Sequence, residues 1–446
     1  MVQQEEYENI IIIGASIGGH ECANSLVPYL PGNYRILLID ARSFAWWPIT
    51  ILRAVVIPGW ENKVSIPLTT ERVFKKGSQH HVIAPNKVTQ LNENSVILRH
   101  PFEGSNELPF FRCIIATGAS QPLPTMPGWD QTEGEFMKSL QVTQKDIAKS
   151  KKVVVIGGGA VGVEIAGEIA SYHPHTKVTL IHKDYGLLSP TPTPVSPASV
   201  VSNDGEIHSH SWSSPPTDPR LSTELQNICK KLDINVILSD RVMIPSSSTP
   251  SGNEAVQSKE VSSEWNGSFG FQESVKILKL KSGSTIEADY IYPGCGMKPN
   301  SGLVRDADQD ALDDDLIRVD DYLKVTTSSQ KSMFRGQYYA IGDACSSPGL
   351  KVARGAIWSA HKTANNVINE IRNRSLSKYK PGLISLNLPL GPDEGAGMVS
   401  FGWLGTWVFG STMTTRVRGK TSGTERFFAG RFKGEVKSEI RFDDLK

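Results

Sequence analysis

The stretch Asn9-Ile10-Ile11-Ile12-Ile13-Gly14-Ala15-Ser16-Ile17-Gly18-Gly19 decides the fold. Consecutive isoleucines suit a strand buried on both faces, as in a parallel sheet covered by helices. The run opens straight into small residues that let the backbone turn tightly. Helical spacing follows through Cys22, Leu26 and Leu30. After the break Pro31-Gly32-Asn33, a second apolar strand runs from Tyr34 to Ile39 and ends at Asp40. Strand, glycine turn, helix, strand and terminal acid make a dinucleotide-binding layout, in which the helix N-terminus faces a pyrophosphate and the acid accepts ribose hydroxyls. The first turn departs from the Gly-x-Gly-x-x-Gly pattern at Ser16, a small replacement whose hydroxyl can itself donate to phosphate.

The layout recurs about 140 residues later, which points to two nucleotide-binding modules in one chain. Lys152 to Ile156 is the strand, and Gly157-Gly158-Gly159-Ala160-Val161-Gly162 is a full match to the turn. Val163 to Ser171 is helical, and Lys177 to Ile181 is the second strand. This strand ends at His182-Lys183 rather than at an acid. A basic pair there tolerates a 2′-phosphate, so NADPH is admissible beside NADH; the alternative is two solvated side chains on a loop. From Ser189 to Thr217, 17 of 29 residues are Ser, Thr or Pro, and Pro245 to Ser268 is similarly rich in Ser and Gly. Neither stretch can bury enough apolar area to offset its ordering entropy, so both read as surface insertions. The helix from Leu221 to Leu232 resumes the fold between them, with Leu221, Leu225, Ile228 and Leu232 on one face.

Composition narrows the class. Lys+Arg number 47 and Asp+Glu 46, a net charge of +1 that argues against a nucleic-acid binder. No apolar run approaches the roughly 20 residues that span a bilayer. The first ten residues are acidic and polar, unlike a signal or transit peptide. The five cysteines, at 22, 113, 229, 295 and 345, form no Cys-x-x-Cys pair and read as free thiols in a reducing compartment. His80-His81 has no ligand spacing around it, so no metal site is expected. A cytoplasmic protein of roughly three domains follows from this.

Three further segments raise the specificity. Ile114-Ile115-Ala116-Thr117-Gly118 and Gly294-Cys295-Gly296-Met297-Lys298-Pro299-Asn300 each end a strand in small residues. Tyr338-Tyr339-Ala340-Ile341-Gly342-Asp343 ends one in an acid. With these, residues 9 to 366 resemble the FAD-dependent pyridine nucleotide oxidoreductases, the two-dinucleotide-binding flavoproteins. The resemblance implies an α/β fold of two Rossmann-like domains with a small C-terminal α+β domain. An FAD domain (1–125 and 297–366) would be interrupted by an NAD(P)H domain (126–296), with 367–446 as the third domain. FAD would lie on Gly14, Ala15, Ser16, Ile17, Gly18, Gly19 and Asp40, with Arg53, Val82, Thr117, Gly118 and Asp343, the last at the flavin's ribityl and phosphate end. NADH or NADPH would lie on Gly157, Gly159, Gly162, His182, Lys183 and Gly296.

Disulfide reductases of this family carry a redox cysteine pair after the first acid. Here Phe44-Ala45-Trp46-Trp47-Pro48 and Leu52-Arg53-Ala54 occupy that zone. The tryptophans read either as an apolar wall over flavin or acceptor, or as packing. Tyr379-Lys380-Pro381-Gly382 and Leu390-Gly391-Pro392-Asp393-Glu394-Gly395-Ala396-Gly397 resemble the C-terminal domain of the apoptosis-inducing-factor-like, ferroptosis-suppressor-like branch. That branch passes electrons from NAD(P)H through FAD to quinones, and it implies Lys380 and Glu164 beside the flavin. Glu164 also reads as a first-turn acid favoured by the helix dipole. A protein electron acceptor and a non-enzymatic redox-sensing or cell-death role are the alternatives. Phe401 to Phe409, followed by Arg416, Arg418, Lys420, Arg426, Arg431 and Lys433, suits peripheral contact with an anionic membrane such as the mitochondrial outer membrane. Core packing or a homodimer contact is the other reading of those aromatics.

Overall fold

The computed structural model describes residues 7–189, 217–245, 263–294, 297–401, 404–418 and 428–432. Most of both Ser-rich insertions, together with Cys295 and Gly296, lies outside the described residues.

In chain order, the first unit contains β1 (Glu8–Ile13), α1 (Ile17–Leu26), β2 (Tyr34–Ile39), α2 (Ile51–Val56), β3 (His81–Ile83) and β4 (Arg112–Ile115). Helix α3 (Glu133–Lys149) leads to the second unit. A reciprocal cap between Thr132 and Glu135 fixes its start, satisfying backbone donors that the first turn would leave orphaned. The second unit is β5 (Lys152–Ile156), α4 (Ala160–Tyr172), β6 (Lys177–Ile181), α5 (Pro219–Lys231), β7 (Asn235–Ile237), β8 (Gly270–Lys279) and β9 (Thr285–Pro293). The chain then returns through β10 (Tyr338–Ala340) and α6 (Ala353–Ile371), and closes with β11 (Ile384–Leu390), β12 (Glu394–Ser400), β13 (Thr406–Phe409) and α7 (Ser411–Arg418).

The first sheet runs in the order β10-β4-β1-β2-β3 with every pair parallel. The second runs β7-β6-β5-β9-β8, parallel except for the β8–β9 hairpin. In each, the glycine turn leaves a central strand beside a neighbour on the other side. This is the switch point of an open parallel sheet, where ligands bind beyond the strand C-termini. β11, β12 and β13 form a separate antiparallel sheet.

Ile10, Ile11 and Ile12 are wholly buried: Ile10 and Ile12 pack with α1 and α6 on one face of the first sheet, and Ile11 packs on the other with Val88, Leu91, Val96, Leu98 and Leu108 of a three-stranded antiparallel sheet. One continuous apolar cluster joins α2, α3 and α4 to β11 and β12. The third sheet therefore packs where the two nucleotide-binding units meet. The first insertion leaves and rejoins the fold at one place, since the Thr217 hydroxyl donates to the Leu188 carbonyl at 3.3 Å.

Candidate functional site

The first turn is built around Gly14, whose φ of +105° disfavours any side chain. An added Cβ there would also meet the Ala116 carbonyl oxygen at 2.4 Å, so β1 and β4 approach as closely as glycine allows. The Ala15 N–H donates to Asp40 Oδ2 at 2.7 Å, and the Arg42 N–H to Oδ1 at 2.9 Å. Asp40 thus ties the turn to the end of β2. Burial pushes its carboxyl up, against the pull of those two N–H groups and the Arg42 charge. The Arg42 guanidinium donates to the Pro127 carbonyl at 3.0 Å and lies 4.2 Å from the Trp129 ring centroid.

These residues border a cavity of about 990 Å³. Of the residues expected from sequence, Gly14, Ser16, Ile17, Gly18, Asp40, Thr117, Gly118, Asp343 and Glu164 line it, whereas Ala15 and Gly19 stand behind the turn. Thr117 is fixed by a double bridge: its hydroxyl donates to the Asn300 carbonyl at 2.7 Å, and Asn300 Nδ2 donates back at 2.9 Å. Asp343 lines the cavity half-buried, its carboxyl pushed up by desolvation and drawn down by Lys351. Lys351 itself donates to the carbonyls of Cys345 and Ser347 at 2.6 and 2.7 Å. Trp46 and Trp47 are buried and still border the cavity, so packing and wall are the same feature.

The cradle fits FAD. A turn that no side chain could enter offers backbone donors to a diphosphate. An acid held at the end of β2 suits a ribose, and the remaining wall of Trp46, Trp47, Ile51, Leu52 and Met126 suits a flat apolar ring.

Three expected residues stand elsewhere. Arg53 is buried away from the cavity and pairs with Glu168 at 2.7 Å, while also donating to the Gly391 carbonyl at 3.2 Å. It locks α2 to α4 and to the β11–β12 turn rather than touching a cofactor. Val82 sits in edge strand β3, its N–H donating to the Thr70 hydroxyl at 3.0 Å. Lys380 is exposed, because its neighbour Tyr379 turns into the core and an extended chain puts the next side chain on the other side. Lys351 is the lysine that reaches the cavity wall beside Asp343.

The second turn repeats the first with one exchange. Gly157 has φ +113°, and a Cβ at Gly162 would fall 1.8 Å from the Gly157 oxygen, so α4 lies tight against the strand. Where Asp40 serves the first turn, His182 serves the second: its Nδ1 accepts the Gly158 N–H at 3.0 Å. The proton is then on Nε2, which faces the Ser189 hydroxyl at 3.2 Å, and that hydroxyl donates to Asp184 at 2.5 Å. Burial holds the His182 pKa below 6.5, with Asp184 opposing. His182 is therefore a neutral acceptor under the turn, and the cation expected for a 2′-phosphate is left to exposed Lys183 alone. Gly159 caps α4, and Gly296 lies outside the described residues. Asparagine can imitate the Nδ1 acceptor and leucine cannot. His182→Leu is expected to raise KM for NADH about tenfold through the orphaned N–H, and His182→Asn to stay near the parent. Steady-state kinetics of both variants checks this.

Glu164 and Glu168 stand one turn apart on α4. Glu164 borders the cavity, where Arg418 at the end of α7 meets it at 3.4 Å. The Arg418 guanidinium also donates to the carbonyls of Asn387 (2.6 Å) and Ile49 (2.8 Å), joining all three units at the cavity wall. Burial pushes the Glu164 carboxyl up to about 7, with Arg418 opposing and Glu168 adding to the rise. Arg42, Lys351, Asn300, Arg418 and Arg431 are cavity residues beyond those expected. Only Arg42, two positions after the acid, carried a local signal.

Residues 8–201 match the family model described as pyridine nucleotide-disulphide oxidoreductase. Ferroptosis suppressor protein 1 of Xenopus laevis is 28% identical over 408 residues, covering 91% of this chain and 92% of that protein. The Mus musculus protein of the same name is 25% identical over 400 residues, covering 89% and 90%. Apoptosis-inducing factor homolog A of Dictyostelium discoideum is 25% identical over 403 residues, covering 87% and 84%. Among solved structures, a NAD-dependent persulfide reductase from A. fulgidus superposes with a TM-score of 0.58 at 18% identity, over 88% of this chain and 64% of that one. Reduced Bacillus anthracis CoADR-RHD gives 0.60 at 17%, over 89% and 62%. The chain thus spans a little under two thirds of those two proteins, and the likeness is one of fold. The cofactors are FAD and NAD(P)H.

Proposed function

We propose that this chain, an FAD-dependent NAD(P)H oxidoreductase, delivers its electrons to a quinone-type acceptor. The observation that carries the reading is the make-up of the cavity: a dinucleotide cradle continues into an apolar wall on which the acid Glu164 stands. The four described cysteines, at 22, 113, 229 and 345, are free and buried, and none borders the cavity. FAD, when bound, takes two electrons from the nicotinamide and passes them on. The chain's own part would be to hold both cofactors in one cavity, exclude water with Trp46, Trp47, Leu386 and Leu388, and handle a proton. Reducing a quinone to a quinol takes two electrons and two protons. NAD(P)H brings two electrons and one proton, so a second proton is needed, and Glu164 on the cavity wall would give it. The resemblance of the C-terminal segment to the quinone-reducing branch supports the same acceptor.

The test is anaerobic. The enzyme is reduced with one equivalent of NADH and then mixed with a water-soluble quinone, and recovery of flavin absorbance is followed. Recovery no faster than without quinone sinks the reading.

Peripheral membrane contact belongs to the same proposal, since a lipophilic quinone resides in a bilayer. Among the described residues no helix is long and apolar enough to cross a membrane. The C-terminal unit exposes Trp407 (68%), Leu404 (59%) and Met413 (53%), with Phe401 edge-on to Trp407 at 5.3 Å. Val408 packs against the core. Of the expected basic residues, Arg416 is exposed, Arg418 and Arg431 turn inward to carbonyls and carboxylates, and Lys420, Arg426 and Lys433 lie outside the described residues. Binding is expected to depend on Trp407. Trp407→Ser is expected to abolish co-sedimentation with liposomes; undiminished binding rules this face out, and a change in oligomeric state instead would assign it to a second copy.

A further inference from the structure

The described C-terminal segment 428–432 lies across the first unit and is held there at three points. Phe428 is buried and stacks on Trp47, with centroids 5.2 Å apart and planes at 17°. Phe432 is buried and meets His20 of α1 edge-on at 4.6 Å. Between them, the Arg431 carbonyl accepts from Asn24 Nδ2 at 3.0 Å. All three anchors belong to the FAD unit. Stacked and edge-on aromatic pairs contribute beyond their buried area, so two of them in five residues are enough to dock a short segment.

The docking places the Arg431 guanidinium on the cavity wall beside the first glycine turn. Its Nη1 donates to the Ile17 carbonyl at 3.0 Å and pairs with Glu21 Oε2 at 3.1 Å, and the group lies 5.6 Å from the Trp47 ring centroid. Ile17, Gly18, Trp47 and Arg431 all border the cavity. Ile17 is also the first residue of α1, whose first turn carries no acid and no side-chain cap. A cation beside a helix N-terminus is electrostatically unfavourable, because both present positive charge. Glu21 offsets part of this. An anion lying in the cavity between the turn and the guanidinium would be attracted by both.

We infer that residues 428–432 form a clasp on the FAD site, in which Arg431 faces the diphosphate end of the cavity and sets how tightly the cofactor is held. The clasp lies remote in sequence from the turn it covers, so it can close only after the first unit has formed. FAD retention is then tied to the docking of the C-terminus.

The test uses the full-length holoprotein. FAD release after dilution is followed by the rise in free-flavin fluorescence, for Arg431→Gln, Arg431→Lys, Phe428→Ala and the exposed control Arg374→Gln. Loss of one charge-assisted contact corresponds to roughly tenfold faster release. Arg431→Gln is expected to show that acceleration, Arg431→Lys to recover part of it, Phe428→Ala to release faster as well, and Arg374→Gln to match the parent. Melting is compared with and without FAD, and Arg431→Gln should lower the holoprotein more than the apoprotein. Unchanged release, or equal losses in both forms, makes the segment mere packing and overturns the inference.

Discussion

Gly19→Ala is expected to leave purification without flavin, while Gly18→Ala keeps it. The two glycines are adjacent in α1, yet their surroundings differ. A Cβ at Gly19 would fall 1.8 Å from the Gly14 oxygen and 3.1 Å from Ile12 Cγ2. At Gly18 the nearest atoms are the side chains of Ile341 and Ala356, at 3.5 and 3.7 Å. Overpacking costs on the order of 1–3 kcal/mol even where neighbours can shift. At Gly19 the neighbour is the backbone of the turn itself, so the helix must back away from the sheet. That movement widens the turn whose Ala15 N–H is held by Asp40 and removes the donors aimed at the diphosphate. The second unit has its own turn and sheet, so the variant should still give most of the parent circular dichroism. The ratio of flavin to protein absorbance in purified Gly18→Ala and Gly19→Ala decides the matter. A fully yellow Gly19→Ala would mean that α1 is not seated as described.

The turn was legible in sequence because all its parts lie within one local unit. Small residues, the strand before them and the acid at the end of the next strand come within about 30 residues, and the periodicity of each element is its own signal. His182 shows where such reading ends. Its residue type suggested charge, but burial beneath Gly158 makes it a neutral acceptor doing for the second turn what Asp40 does for the first. Lys380 shows a different limit. The resemblance pointed to Lys380, which is exposed, whereas Lys351 borders the cavity, placed by the chain's return beside Asp343. Arg53 was found in the right zone, yet its partner Glu168 lies 115 residues away. Arg418 and Arg431 gave no local signal at all, since their contacts reach back 254 residues to Glu164 and 414 residues to Ile17. Glu168 did leave a mark: it stands four positions after Glu164, and two acids on one helical face call for a counter-charge.

Glu164→Gln is expected to slow quinone reduction about a hundredfold and to flatten its dependence on pH, without comparable loss of flavin. Loss of a placed general acid removes roughly 10²–10⁴ in rate, which sets the scale. The sign follows from the cause of the shift. Burial raises the carboxyl from 4.5 to about 7, while Arg418 draws it down and Glu168 adds to the rise. Below about 7 the acid carries its proton and can donate; as pH rises through that value the proton is lost, so the parent's rate should fall on the alkaline side. Stability runs the same way: a raised folded pKa contributes fully below the unfolded value of 4.5, and that contribution fades as pH rises towards 7. Glutamine keeps the shape and a donor but has no proton to give. Glu168→Gln provides the contrast. It leaves Arg53 buried with a neutral partner, which costs on the order of 3–5 kcal/mol, so the melting point should fall, and because Glu168 adds to the rise at Glu164 the alkaline limb of the pH profile should move to lower pH without flattening. Stopped-flow reoxidation of NADH-reduced enzyme by a soluble quinone, across the neutral range, measures both variants. A parent rate that ignores pH, or a Glu164→Gln profile that still bends near neutrality, would move the proton donor to another group. The quinone itself would remain the acceptor as long as it reoxidises the parent enzyme, so the two readings fail separately.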